Sequence, residues 1–283
     1  MMECTIFGGI LLDKYLEMET YPKRGQDGLI TSEFSMAGGC SINMAATFNN
    51  LGGNAHVVTY VGMDPTGREI MDYLNWHGFS GKFVKQVDGD TGYSIVILEK
   101  NGERTFLTKK GVESSFDRTL LRDEILSIKN VMVTGYYLLC DNPSELVRCL
   151  SEVRKHCDHF LFDPGPLVSE IDPDALEKVL SMADIIMVNE VEAASITLPK
   201  DGSKVIVMKK GKAGGEVISG AESFAYQARN VKTADTTGAG DSFAAGFMFG
   251  ILSGMDLRSA VSVAVESAAI TVTMKGPHGF WKR

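Results

Sequence analysis

The segment Asp235-Thr236-Thr237-Gly238-Ala239-Gly240-Asp241 sets two carboxylates on either side of a glycine turn. The turn runs into Ser242-Phe243-Ala244-Ala245-Gly246-Phe247, an apolar stretch with helical character. Free amides at a helix N-terminus, approached closely because glycine has no side chain, form a site for an anion. A carboxylate in such a site would repel phosphate. The conflict resolves if Asp241 accepts a proton from an attacking hydroxyl while the amides hold phosphoryl oxygens. The same turn also reads as a plain helix cap, a role that Asp often fills.

Two other phosphate cradles are excluded. A dinucleotide fingerprint G-x-G-x-x-G starting at Gly238 would need a third glycine where Phe243 stands. The pattern G-x-x-x-x-G-K-[ST] occurs nowhere in the chain, and Lys212 lacks the hydroxyl residue that should follow it.

Three further clusters carry chemistry. In Ala37-Gly38-Gly39-Cys40-Ser41-Ile42-Asn43 a double glycine opens an apolar helix, with Asn43 one turn in and able to donate and accept. The alternative is a tight turn with a surface asparagine. Asn189-Glu190-Val191-Glu192 has the spacing of a capping box, and the same geometry would let Glu192 grip the waters of Mg²⁺. Lys209-Lys210-Gly211-Lys212-Ala213-Gly214-Gly215 reads equally as a basic hairpin turn or as a nucleotide loop.

These residues need a scaffold. Apolar runs at 5–12, 55–61, 131–134, 159–162, 185–188 and 205–208 read as buried strands alternating with amphipathic helices. Asn142-Pro143-Ser144-Glu145 and Asp172-Pro173 mark two helix starts. Such alternation predicts a mostly parallel sheet covered on both faces. Four runs end on a polar residue: Asp13, Asp163, Asn189 and Lys209. Ligands of open α/β sheets bind at the carboxyl ends of strands, so these four are expected along one edge. Two segments break the pattern. Residues 91–109 hold two β-rich runs around the turn pair Asn101-Gly102, and residues 14–36 mix turn residues with an alternating stretch. Both are expected to form a small sheet outside the core, a lid.

Bulk properties narrow the class. With 44% hydrophobic and 23% charged residues, the 283-residue chain is of globular type. The formal charge of −8 argues against non-specific nucleic-acid binding, which needs a basic face. No stretch approaches the length of a membrane span, and no signal peptide is read. Five cysteines without a C-x-x-C pair suggest neither zinc nor disulfides and favour a cytoplasmic setting.

Together and in this order, Gly38-Gly39-Cys40-Ser41-Ile42-Asn43, Val61-Gly62-Met63-Asp64-Pro65-Thr66-Gly67 and Asp235–Asp241 running into Ser242–Gly246 resemble the motifs of the ribokinase-like (PfkB) carbohydrate kinases. The resemblance covers nearly the whole chain. It implies a three-layer α/β/α sandwich with a mostly parallel central sheet, spanning 1–13, 37–89 and 111–283, and a β-sheet lid from 14–36 and 90–110. It implies transfer of the ATP γ-phosphoryl group to a sugar hydroxyl, with Asp241 as catalytic base and the amides of Gly238, Ala239 and Gly240 as anion hole. Asp13, Gly39 and Asn43 would bind substrate hydroxyls. Asn189, Lys209, Gly211 and Gly214 would serve ATP, and Glu192 would hold Mg²⁺ through water. Asp235 and Thr237 fall where members hold a monovalent cation such as K⁺. Arg104, on the predicted hairpin, is a candidate contact to an acidic or phosphorylated substrate, or else a solvated charge.

This chain departs from the family in two respects. Cys40 stands where many ribokinases carry lysine, and no glutamate appears at 137–140 where they bind sugar. Ribose is therefore not the expected acceptor. A nucleoside kinase, including one for pseudouridine, is the nearest rival; a non-catalytic sugar sensor is the second, and a nicotinamide dehydrogenase a distant third. The end of the sequence soon after Gly276-Pro277-His278-Gly279 suggests a trimmed adenine pocket. The open edges of a lid sheet suggest a homodimer.

Overall fold

In the computed structural model, residues 2–100, 103–199 and 202–279 are described. Nine strands form the central sheet in the order β13-β12-β11-β10-β9-β8-β1-β4-β5. They are β1 (Glu3–Phe7), β4 (Asn54–Gly62), β5 (Val84–Val87), β8 (Asn130–Thr134), β9 (His159–Asp163), β10 (Ile185–Asn189), β11 (Val205–Lys209), β12 (Gly215–Ser219) and β13 (Glu222–Tyr226). Pairing is parallel from β11 across to β5, while β12 pairs antiparallel with both β11 and β13 and so alone runs against the other strands of this sheet.

Side chains alternate along each strand and so feed two cores. Met132, Leu161 and Met187 point to the face covered by α1 (Cys40–Asn50), α2 (Pro65–Trp76), α7 (Ala239–Leu252) and α8 (Leu257–Thr271). Their neighbours Val133, Phe162 and Val188 point to the face covered by α3 (Asp123–Leu126), α4 (Pro143–Arg154) and α5 (Pro173–Met182), while the short α6 (Glu190–Ser195) follows β10 directly. A strand buried on both faces must be apolar throughout, which is why these runs stood out in the sequence. The helix starts at Pro143 and Pro173 are capped by Asn142 and Asp172.

A second sheet of four strands lies apart, in the order β3-β2-β6-β7: β2 (Leu11–Met18), β3 (Ile30–Gly38), β6 (Tyr93–Glu99) and β7 (Arg104–Lys109). The antiparallel pairing of β6 with β7 matches the expected hairpin, whose turn Asn101-Gly102 lies outside the described residues.

One expectation fails here. The run 5–12 is not one strand: β1 stops at Phe7, and β2 begins at Leu11 in the other sheet. The chain crosses between sheets at Gly8-Gly9, where a side chain on Gly8 would meet the Thr134 hydroxyl at 2.8 Å. The carbonyl of Gly9 accepts from the Ser41 hydroxyl at 2.7 Å, tying the crossing to α1. Asp13 is consequently an interior residue of β2, not the polar end of a core strand. The other three strand ends stand as expected, with β9, β10 and β11 closing on Asp163, Asn189 and Lys209.

The segment Val61-Gly62-Met63-Asp64-Pro65-Thr66-Gly67 ties the two sheets together. Asp64 caps α2 by accepting from the Gly67 amide and also accepts from the Thr91 hydroxyl at 2.6 Å. The Gly62 amide in turn donates to Thr91 at 2.8 Å. Thr91 lies just before β6, so this knot holds the root of the lid hairpin.

Candidate active site

Sheet order reverses between β1 and β8, and a cavity of about 290 Å³ opens beyond the strand ends there. Cys40, Asp163, Asn189, Glu192, Lys209, Gly211, Gly240 and Asp241 all line it, so residues from five segments of sequence meet in one place.

Gly238, in the left-handed region at φ 73°, caps α7 and turns the chain into the helix. A side chain there would strike the Pro277 carbonyl at 2.0 Å, so glycine is required twice over. The Ala239 amide closes the turn on the Thr236 carbonyl at 3.3 Å, whereas the Gly238 and Gly240 amides have no protein acceptor among the described residues. Asp241 lies in the first helical turn. Its Oδ2 accepts from Asn43 Nδ2 at 2.8 Å. Desolvation lifts its pKa to about 6, opposed by the Asn43 hydrogen bond and raised further by Asp163.

Asn43 is held at its other end too. Its Oδ1 accepts from His278 Nδ1 at 2.8 Å, and His278 Nε2 faces the Tyr73 hydroxyl at 3.0 Å. Because Asn43 spends its amino group on Asp241, the His278 nitrogen facing it must be the protonated one. Burial, helped by His77, brings the His278 pKa down to about 3, so the ring is neutral at physiological pH. The chain of contacts Tyr73–His278–Asn43–Asp241 thus orients the carboxylate. Both polar ends of Asn43 are engaged within the protein, one of them on the Asp241 carboxylate.

Lys209, at the end of β11, pairs with Asp163 at 2.6 Å. Burial pulls the Lys209 pKa down, but Asp163, Glu192 and Asp241 outweigh it and leave the ammonium firmly charged. It stands 3.7 Å from where a side chain on Gly240 would begin, directly beside the amides of α7. Cys40, at the start of α1, lines the same cavity, into which Lys209 brings a positive charge from the end of β11.

Asn189 and Glu192 form the capping box read from their spacing, and the Glu192 carboxylate accepts from the Asn189 amide and side chain, each at 2.8 Å. Burial raises the Glu192 pKa, with Lys209 opposing. The 209–215 segment is a hairpin between β11 and β12 that brings Gly211 to the cavity. Gly214, at φ 83°, shapes the turn, since a side chain there would meet the Tyr226 carbonyl at 2.0 Å.

Asp13, on β2, is buried and is not among the residues that line this cavity. It packs so closely on Gly38 that a side chain at 38 would fall 2.1 Å from Asp13 Oδ2, and Gly39 follows at φ 99° as the cap of α1. Burial raises the Asp13 pKa to about 7. Arg104, from β7, forms an ion pair with Asp235 at 2.9 Å and donates to the Thr236 hydroxyl at 3.2 Å. Asp235 also accepts from the amides of Thr237 at 2.7 Å and Gly276 at 3.0 Å.

Sequence reasoning singled out neither His278 nor Tyr73 as site residues. Nothing in the spacing of Gly276-Pro277-His278-Gly279 announces a contact with Asn43, more than two hundred residues earlier. Asp163 carried a visible signal, as a polar strand end, without an assigned role.

Comparison with known proteins shows the family to which the chain belongs. A family model described as pfkB family carbohydrate kinase matches residues 35–282. A fructosamine kinase of Bacillus subtilis is 24% identical over 99% of this chain and 94% of its own length. An uncharacterized sugar kinase of Escherichia coli (strain K12) is 26% identical, covering 96% and 88%. Among solved structures, an Arabidopsis thaliana ribokinase complexed with ribose and ATP superposes with a TM-score of 0.80 at 22% identity, covering 96% of this chain and 93% of that one. A Burkholderia thailandensis nucleoside kinase in complex with inosine gives 0.79 at 20% identity, covering 98% and 93%. Kinases of this kind use ATP, typically with Mg²⁺. The central sheet with its separate lid, the Asp241 turn and the family match over 35–282 together make this chain a member of the pfkB family of carbohydrate kinases, phosphotransferases with an alcohol acceptor.

Proposed function

We propose that this kinase transfers the γ-phosphoryl group of ATP to a hydroxyl of a sugar or sugar-like molecule, with Asp241 as general base. The observation that carries the proposal is the state of Asp241. One carboxylate oxygen is fixed by Asn43, desolvation brings the pKa to about 6, and open helix amides lie beside it. A base of that pKa is ionised at neutral pH yet still takes a proton readily. The acceptor hydroxyl gives its proton to Asp241 as its oxygen attacks phosphorus. The γ-phosphoryl oxygens lie against the amides of Gly238 and Gly240, with Ala239 behind them and Lys209 alongside, where charge develops.

Glu192, with Asp163 on the same cavity wall, would hold a Mg²⁺ only through the ion's waters, because the oxygens of both already accept hydrogen bonds within the protein. When bound, that ion neutralises phosphate charge. Gly211 and Gly214 bring the β11–β12 hairpin to the nucleotide. In this reading Asp13 and Gly39 meet the acceptor's hydroxyls, and segments 14–36 and 90–110 form a lid that excludes water when it closes. The exposed Ile30, Phe106 and Leu107 on the lid's edge strands favour a second copy of the chain there.

A panel of sugars and nucleosides with detection of ADP tests this. ADP release with one or more polyhydroxylated acceptors is expected. Release with nucleosides alone would move the assignment to nucleoside kinase, and no ATP turnover with any acceptor would favour a sugar-binding sensor.

A further inference from the structure

The resemblance implies a monovalent cation next to Asp235, as in many members of the family, but the donor set around Asp235 does not fit one. Its Oδ1 accepts from the Thr237 amide and from the Arg104 guanidinium, and its Oδ2 accepts from the Gly276 amide. A carboxylate offers about four lone-pair sites. Three are filled by N–H donors, and one of those donors already carries a full positive charge. Arg104 and Asp235 are 13% and 2% exposed, so the carboxylate is buried and the guanidinium keeps only a small opening to solvent. A second cation at this carboxylate would sit close to the guanidinium with little water to screen the repulsion.

We infer that Arg104 is a tethered cation, a protein-supplied replacement for the monovalent ion, so that this enzyme works without K⁺. Several features support the substitution. Arginine stays protonated at any physiological pH, and its planar fork can serve two acceptors at once. Here it serves Asp235 and the Thr236 hydroxyl, two consecutive residues of the turn that ends in the anion hole. Asp235 links that turn to the loop at Gly276, two residues before His278. The charge that stiffens the catalytic turn therefore comes from the lid strand β7 and is delivered with the lid. Arg104 is thus anchored on Asp235 through its terminal nitrogens, while its Nε has no partner among the described residues.

The inference concerns the ion requirement of the proposed kinase site, and a test by thermal melting does not depend on turnover. The full chain is melted in chlorides of K⁺, Na⁺ and tetramethylammonium at equal ionic strength. Wild type is expected to melt at one temperature in all three. Arg104→Gln should melt lower in tetramethylammonium and regain stability selectively in K⁺, whereas Arg104→Lys, which keeps the charge, should respond to K⁺ as little as wild type. Once an acceptor is known, K⁺ should raise Arg104→Gln turnover by about tenfold or more, within the usual range for coupling between two sites, and leave wild type unchanged. Selective stabilisation or activation of wild type by K⁺ would overturn the inference. So would a folded Arg104→Gln that ignores K⁺. If Arg104→Gln does not fold, the wild-type and Arg104→Lys melts decide the question.

Discussion

Asn43 Nδ2 donates to Asp241 Oδ2 at 2.8 Å, so helix α1 fixes one oxygen of the candidate base at the mouth of helix α7. This single bond joins the first and last motifs of the chain. It also sets a pKa, because a donor to the carboxylate favours the ionised form against the desolvation that opposes it.

The first prediction concerns pH. Asp241 must be ionised to accept a proton, so kcat should fall on the acid side of about 6, roughly tenfold per pH unit, and level off above it. Asn43→Leu removes the stabilising donor. Its acid limb should move to higher pH, and an unmoved limb would break the link between Asn43 and the base.

His278 acts through Asn43. With His278→Phe, Asn43 Oδ1 loses its donor, at a cost of about 1–3 kcal/mol for a buried unsatisfied group. The same upward shift of the acid limb should appear, smaller than for Asn43→Leu, because the amide is no longer held in its orientation. His278→Gln, whose amide can still donate, should restore most of the wild-type profile.

His278 also predicts an acid liability of the fold. Its folded pKa of about 3 lies below the ordinary 6.5, so unfolding takes up a proton between those values. Stability is intact above pH 6.5 and should fall by about 1.4 kcal/mol per unit from there toward pH 3 on this account alone. Urea denaturation across that range should show a shallower slope in His278→Gln.

Asp13 has the opposite sign. Its folded pKa of about 7 lies above the ordinary 3.8, so its contribution is present below pH 3.8 and is lost as pH rises through 7. Asp13→Asn should raise thermal stability by about 0.5–2 kcal/mol at alkaline pH while abolishing acceptor binding, the usual trade at a functional site. A variant less stable at every pH would show that Asp13 serves packing instead.

Lys209→Met should lose both the phosphate contact and the partner of Asp163. Breaking a buried pair costs about 3–5 kcal/mol, so lower stability should accompany a turnover loss of about 10²–10³. Adding Asp163→Asn should recover stability without recovering turnover.

Much of this site was legible in the sequence for a physical reason. A parallel strand buried on both faces is an apolar run, and its first polar residue marks its carboxyl end, as Asp163, Asn189 and Lys209 do where they line the cavity. The capping box at Asn189 is local, so spacing alone identifies it. Asp13 was misread because Gly8-Gly9 sits inside a continuous apolar run, and composition does not reveal that the chain changes sheets there. Arg104 was visible as a charge on a hairpin, but its partner lies 131 positions away and only the packing of β7 against the catalytic turn brings the two together. The contact between His278 and Asn43 is likewise created by tertiary packing, with no periodicity to record it.

The central claim is that Asp241 takes the acceptor's proton, and Asp241→Asn tests it most directly. The variant is isosteric and can still meet Asn43, so ATP and acceptor affinities, measured by calorimetry, should stay near wild type. Phosphoryl transfer in a single turnover should fall by about 10²–10⁴. Near-wild-type transfer with both ligands bound would contradict the account.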